Sequence, residues 1–339
     1  MTTHHHSTLG RAAQLGLVGA AAALAVGAAT VGPASAAPRA SASVSRGTLT
    51  VTGSEADDRI ALLLAPGEAG TLQVDFGDDG TADFEFDRAT FDRIDVLARN
   101  GDDRFRVNQV NGTFADEAIT VIAGNGDDVM DGGDGAERFL GGPGVDAIDG
   151  NRGADTGELG SGDDSFRWDP GDGSDVVEGG SGFDTLDFNG AAAIETMSLT
   201  ANGERSLFLR EPAAIRMDMD RVERLDLTTL GAADSLAVGD LSGTDMSVVD
   251  VDLAGPAGGP DLAADLVTVD GTADDDEIQV RSDGGRVIVD GLTASVRLAA
   301  PELLDQLHVN ALDGNDVVDV DPALATLITV LVDLGAGQL

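Results

Sequence analysis

From Ala123 to Asp187 the chain repeats a nine-residue frame seven times, with glycine at position four and an acid at position six. The frames start at Ala123, Gly132, Gly141, Gly150, Leu159, Pro170 and Gly179, and only Trp168 and Asp169 interrupt them. Position four reads Gly126, Gly135, Gly144, Gly153, Gly162, Gly173 and Gly182, and position six reads Asp128, Glu137, Asp146, Asp155, Asp164, Asp175 and Asp184. Position eight is Met130, Phe139, Ile148, Gly157, Phe166, Val177 and Leu186, apolar everywhere except Gly157. A flexible glycine- and aspartate-rich linker needs no fixed frame and no apolar residue at a fixed place. The period therefore constrains this segment to a stack of identical turns.

Glycine permits a tight turn with positive φ that brings backbone carbonyls inward, and the acid adds a hard anionic oxygen at the same point. A short strand then carries position eight into a core. Two frames make one coil of about 18 residues, so acids two frames apart stack at roughly 4.8 Å along one edge. Asp128, Asp146 and Asp164 form one column on this reading, and Glu137 and Asp155 begin the opposite one. The two-residue insertion must be absorbed before Asp175 and Asp184 continue either edge. Two bare carboxylates at that separation repel by roughly 3 kcal/mol at an effective dielectric of 20. A divalent cation between them removes the penalty.

Residues 123 to 187 thus resemble the hemolysin-type (RTX) calcium-binding repeat family. The resemblance implies a parallel β-roll with several Ca2+ ions held between successive turns, and marks the position-four glycines and position-six acids as the metal-site residues. It does not extend to cytolytic activity, because the repeats are central and no separate effector domain is visible. The longer architecture also resembles secreted actinobacterial calcium-binding proteins that combine Gly-Asp-Asp coils with such repeats, which implies calcium binding and secretion and little else.

Acids outnumber bases 61 to 20, for a net charge of −41, so nucleic acid is excluded as a partner on charge. All the bases are arginine, and tyrosine and cysteine are absent. Residues 1–36 carry Arg11, an apolar run from Leu15 to about Val31, and Ala34-Ser35-Ala36 before Ala37, the pattern of a cleaved secretory signal peptide rather than a membrane anchor. His4, His5 and His6 fall in that segment. No other stretch of the chain has the length and apolarity of a transmembrane span. An exported chain without cysteine has no disulfides to hold it, and extracellular calcium is the available substitute.

A second pattern runs outside the nonapeptides: two alternating apolar residues, a turn, then an aspartate seven residues after the second of them, followed by further apolar alternation. It occurs as Leu49, Val51, Asp58, Ile60, Leu62, as Ile94, Val96, Asp103, Phe105, Val107, and as Ile119, Val121, Asp128, Met130. It returns from Leu225 to Asp234 and Val238, from Val267 to Asp276 and Val280, and from Leu307 to Asp316 and Val320. Period-two alternation marks strands with one buried face. The expected fold is all-β, a parallel β-helix or β-roll solenoid: N-terminal coils over 37–122, the nonapeptide block over 123–187 and C-terminal coils over 188–339.

Asp75 to Phe86 has the start of an EF-hand loop, but position three is Gly77 and position twelve is Phe86 where a bidentate glutamate is required. A β-hairpin turning at Asp78-Asp79-Gly80 is the preferred reading. The turns at Asp57-Asp58, Asp102-Asp103 and Asp274 to Asp276 read equally well as single calcium sites or as solvated turns. Beyond residue 36 the only histidine is His308, placed to face solvent between Leu307 and Val309. Trp168 reads as a plug over the coil end where the frame breaks. The expected function is a calcium-dependent structural, cell-surface or adhesive scaffold, with a cell-surface glycan or protein as partner and no catalytic residues. The alternative is a glycan-active β-helix hydrolase, lyase or epimerase using paired carboxylates.

Overall fold

The computed structural model describes residues 40–335, so segment 1–36, expected from the sequence to be a signal peptide, lies outside the described residues. Those residues are all-β: 28 strands, with helical turns only at Arg88–Thr90 and Pro322–Thr326. No helix among them is long and apolar enough to cross a membrane.

The strands form two sheets of 14, mostly parallel. From Thr48–Thr52 to Thr185–Asn189 the chain passes from one sheet to the other and back, apart from one hairpin excursion. Each strand pairs with the strand one circuit earlier. In the first sheet Phe139 sits opposite Val121 on one side and Gly157 on the other, and in the second Ile148 sits between Met130 and Phe166. The circuit is therefore 18 residues, as the frame requires, and it lengthens to 20 where Phe166 meets Leu186 and Gly157 meets Val177.

Alternating side chains point between the sheets. The apolar residues of the longer repeats, including Leu49, Val51, Ile94, Val96, Leu225, Leu227, Leu307 and Val309, join position eight of the nonapeptides in one core. Burying each such side chain contributes about 1.5–3 kcal/mol. Gly157 breaks the apolar rule for a steric reason: a Cβ there would lie 2.8 Å from the Phe166 ring.

Trp168 is not a plug over a coil end. It is fully buried inside the stack, its ring 4.1 Å from that of Phe188, which meets Phe208 edge-on at 4.7 Å. Its indole N–H donates to the Gly173 carbonyl at 2.8 Å. The extra dipeptide thus brings a large residue into the core and satisfies its one polar atom locally.

Antiparallel excursions interrupt the parallel order. Arg59–Ala65, Glu68–Phe76 and Phe84–Asp87 form one at the edge of the second sheet. Thr196–Asn202, Arg205–Glu211 and Ile215–Asp220 insert another into the first sheet, and Glu277–Asp283, Arg286–Asp290 and Ser295–Ala299 a third into the second. Val74 opposes Phe84 and Leu72 opposes Phe86, the hairpin preferred from the sequence.

Candidate metal sites along the acidic edges

Each position-six acid sits immediately before, or at the start of, a strand, and all seven are buried. One carboxylate oxygen of each aspartate among them accepts the backbone N–H of the equivalent acid one circuit earlier, whereas Glu137 accepts the N–H of Gly133 in its own frame. Asp128 N–H donates to Asp146 Oδ1 (2.9 Å), Asp146 N–H to Asp164 (2.7 Å), and Asp164 N–H to Asp184 (2.9 Å). Asp58 and Asp103 precede them in the same column and Glu223 follows. On the opposite edge Glu137 N–H donates to Asp155 Oδ1 (2.7 Å) and Asp155 N–H to Asp175 (2.8 Å). The structure therefore brings the predicted acids into two columns, with Asp184 continuing the first and Asp175 the second.

Most of the other oxygens have no such partner. Asp103, Asp128, Asp146, Asp155, Asp164 and Asp184 each keep a buried Oδ2, and Glu137 a buried Oε1, without a hydrogen bond. In the frames that open on glycine and carry aspartate, Oδ2 lies against that first glycine: a Cβ would come within 2.6 Å of Asp155 Oδ2 at Gly150 and 2.7 Å of Asp184 Oδ2 at Gly179. Position four is glycine because the coils touch there: Gly144 has φ +150, and a Cβ on it would overlap the Gly126 carbonyl oxygen. Gly162 meets the Gly144 carbonyl and Gly182 the Gly162 carbonyl in the same way, while Gly153 and Gly173 repeat the contact on the second edge. Gly135 instead lies beside Glu137 Oε1.

Gly144→Ala is expected to cost about 3 kcal/mol through strain and overlap together. Gly67→Ala, at φ +76 with nothing near its Cβ position, is expected to cost only about 1 kcal/mol. Equal denaturant midpoints for the two variants would remove the coil contact as the reason for glycine.

Burial pushes the carboxyls well above their usual range, opposed by the donated N–H groups. Asp146 rises to about 7, with Asp128 and Asp164 adding repulsion. Asp155 rises to about 9, with Glu137 and Asp175 adding to it. Glu137 and Asp175 rise to about 7, Asp128 and Asp184 to about 6. These groups call for a counter-charge or a proton.

The available donors are carboxylate and carbonyl oxygens, the set that suits calcium and not zinc. Among the described residues no three His, Cys, Asp or Glu side chains converge as a ready metal cage. A calcium ion here would draw carboxylates from adjacent coils and complete its shell from glycine-turn carbonyls and water. Its charge would meet the unpartnered oxygens.

Two acids on the second edge are neutralised by the chain itself. Arg88 grips Glu117 with two contacts of 2.7 Å, its guanidinium 5.5 Å from the Phe114 ring centre. Arg210 forms a buried ion pair with Glu195 and lies over Trp168. Neither arginine carries a local sequence signal, since the partners stand 29 and 15 residues away.

The EF-like loop directs its oxygens to its own backbone. Asp75 accepts the N–H of Asp79 and Gly80, and Asp83 that of Phe76. In the flanking turns, Asp57 accepts Asp102 N–H and Asp102 accepts Asp127 N–H, while Asp276 takes Thr272 N–H. His308 is partly exposed beside Gln306, as its place between two inward residues requires.

No protein-family model matches the chain, and no curated protein matches it.

Proposed function

We propose that the chain is a secreted calcium-binding repeat protein: a parallel β-solenoid whose nonapeptide turns hold calcium, and whose role is that of a structural, cell-surface or adhesive scaffold. The observation that carries this reading is the pair of acid columns, in which Asp128, Asp146, Asp155, Asp164 and Asp184 each use one carboxylate oxygen to join coil to coil and keep the other buried without a partner. Hydrogen bonds alone leave that charge unmet, and a calcium ion at the edge would meet it. The chain's lack of cysteine fits a stack held by ions outside the cell. A scaffold is favoured over a glycan-active enzyme because the clustered acids are engaged in holding coils, and Trp168 is buried where no sugar ring reaches it.

Calcium titration by calorimetry tests the assignment. Asp146→Ala and Asp155→Ala are each expected to remove about one calcium per chain or weaken binding at least about tenfold, while Asp83→Ala leaves the isotherm unchanged. Equal losses in all three variants would sink the assignment of calcium to the nonapeptide turns.

A further inference from the structure

The second acid column resumes beyond the nonapeptides. Glu195 N–H donates to Asp234 Oδ1 (2.7 Å), Asp234 N–H to Asp265 Oδ1 (2.8 Å) and Asp265 N–H to Asp305 Oδ1 (3.1 Å). Steps of 39, 31 and 40 residues hide this continuation from any sequence frame.

Its members differ in how their charge is met. Glu195 has Arg210. Asp305 gives its second oxygen to Glu302 N–H at 2.6 Å. Asp234 and Asp265 are 4% and 2% exposed, and each retains a buried Oδ2 with no hydrogen-bond partner. Another such oxygen arrives from outside the column. Asp261 donates its N–H to Glu302 Oε1 (2.7 Å) and accepts Ala263 N–H at Oδ1 (2.9 Å), which leaves its Oδ2 buried and unpartnered. That oxygen lies 3.3 Å from the Cβ position of Gly231, three residues before Asp234 in the chain.

Asp261 also lines an open hollow of about 350 Å³ with Leu230, Gly231, Pro256 and Pro260, so solvent reaches the cluster on the Asp261 side. None of Asp234, Asp261, Asp265, Glu302 and Asp305 forms an ion pair with an arginine among the described residues. Nearby amides are already committed to the other oxygens. A cation from solvent is the remaining way to meet the buried ones.

We propose that Asp261 and Asp265, with Asp234 next in the column, form a second calcium site outside the nonapeptide block, separated from it by the Glu195 and Arg210 pair. Two carboxylates supply the charge, and backbone carbonyls and water from the hollow complete an all-oxygen shell. The ion pins the loop carrying Asp261 onto the coil edge. Its identity as calcium rests on the reading proposed above, whereas the site does not use the nonapeptide residues.

The test measures calcium bound per chain by equilibrium dialysis on the chain from Ala37. Asp261→Ala is expected to lose one calcium, both alone and in an Asp146→Ala, Asp155→Ala background. Asp265→Ala is expected to lose the same ion, and because it also removes a rung of the column, the loop variant carries the test if that chain fails to fold. Unchanged stoichiometry and affinity in Asp261→Ala would overturn this site alone. No calcium on the unsubstituted chain would overturn both readings.

Discussion

Stripped of calcium, the segment from residue 123 to 187 should become open to protease, while in millimolar calcium it resists. The difference follows from where the acids sit. Asp128, Asp146, Asp164 and Asp184 on one edge, and Glu137 and Asp155 on the other, hold unpartnered oxygens inside the fold, and no disulfide offsets that cost. One calcium site with a dissociation constant near 100 μM adds about 1.4 kcal/mol at 1 mM free calcium. Four or five independent sites would add roughly 6 kcal/mol, comparable to the whole stability of a small domain. The C-terminal coils, richer in buried valine and leucine, should retain structure longer in chelator. Magnesium should substitute poorly, since it demands a tighter octahedral shell and gives up water reluctantly. Limited proteolysis with mass mapping reads the outcome directly. Identical cleavage of this segment with and without calcium would refute ion-dependent folding.

The second large effect is a dependence on pH that calcium reverses. Burial raises Asp103, Glu137, Asp146, Asp175 and Asp234 to about 7, Asp155 to about 9, and Asp128, Asp184 and Asp265 to about 6. In the unfolded chain these groups release their protons near the ordinary carboxylate range, around pH 4. The folded chain therefore binds more protons than the unfolded one between about pH 4 and the raised values. The resulting stability is full below pH 4 and is lost as pH climbs through 6 to 9. A carboxyl that holds its proton about tenfold more tightly in the folded chain contributes about 1.4 kcal/mol to this effect, though neighbours in a column are coupled and do not simply add.

In calcium-depleted buffer the melting temperature should accordingly fall from pH 5 to pH 8. Added calcium should raise it most at pH 8, where fewer protons compete, and should release protons on binding near neutrality. General repulsion in so acidic a chain acts in the same direction. Asp155→Asn isolates the local contribution, because it should flatten the fall above pH 7. A melting temperature that rises between pH 5 and 8 without calcium would contradict this account.

Much of this is legible in the sequence because turn chemistry is local. Gly144 and Asp146 announce a turn by their spacing alone, and the 18-residue circuit that places Phe139 between Val121 and Gly157 follows from two frames. The hairpin at Asp78-Asp79-Gly80 is equally local. The two later antiparallel excursions are not legible, because Ile215 to Asp220 alternates like any coil strand and nothing in that pattern says that its partner Arg205–Glu211 runs the other way. Arg88 and Arg210 escape notice for a related reason: an ion pair formed across a coil corner leaves no spacing to read. Trp168 misleads because an insertion in a regular frame suggests an edge, whereas a 20-residue circuit absorbs the added length with the ring turned inward. Asp261 lies outside every repeat and becomes visible only through the oxygen it leaves unsatisfied.

The opposite placement of the two end strands has a mechanical consequence. Ser41–Ser45 and Thr329–Asp333 occupy opposite edges of the first sheet, so tension between them runs across the strands rather than along them. Hydrogen bonds loaded that way yield in sequence, like teeth of a zip, and each freed nonapeptide circuit of about 18 residues releases roughly 60 Å of chain. A tether so built would lengthen in steps under load, with filled turns setting the force at which each step gives way.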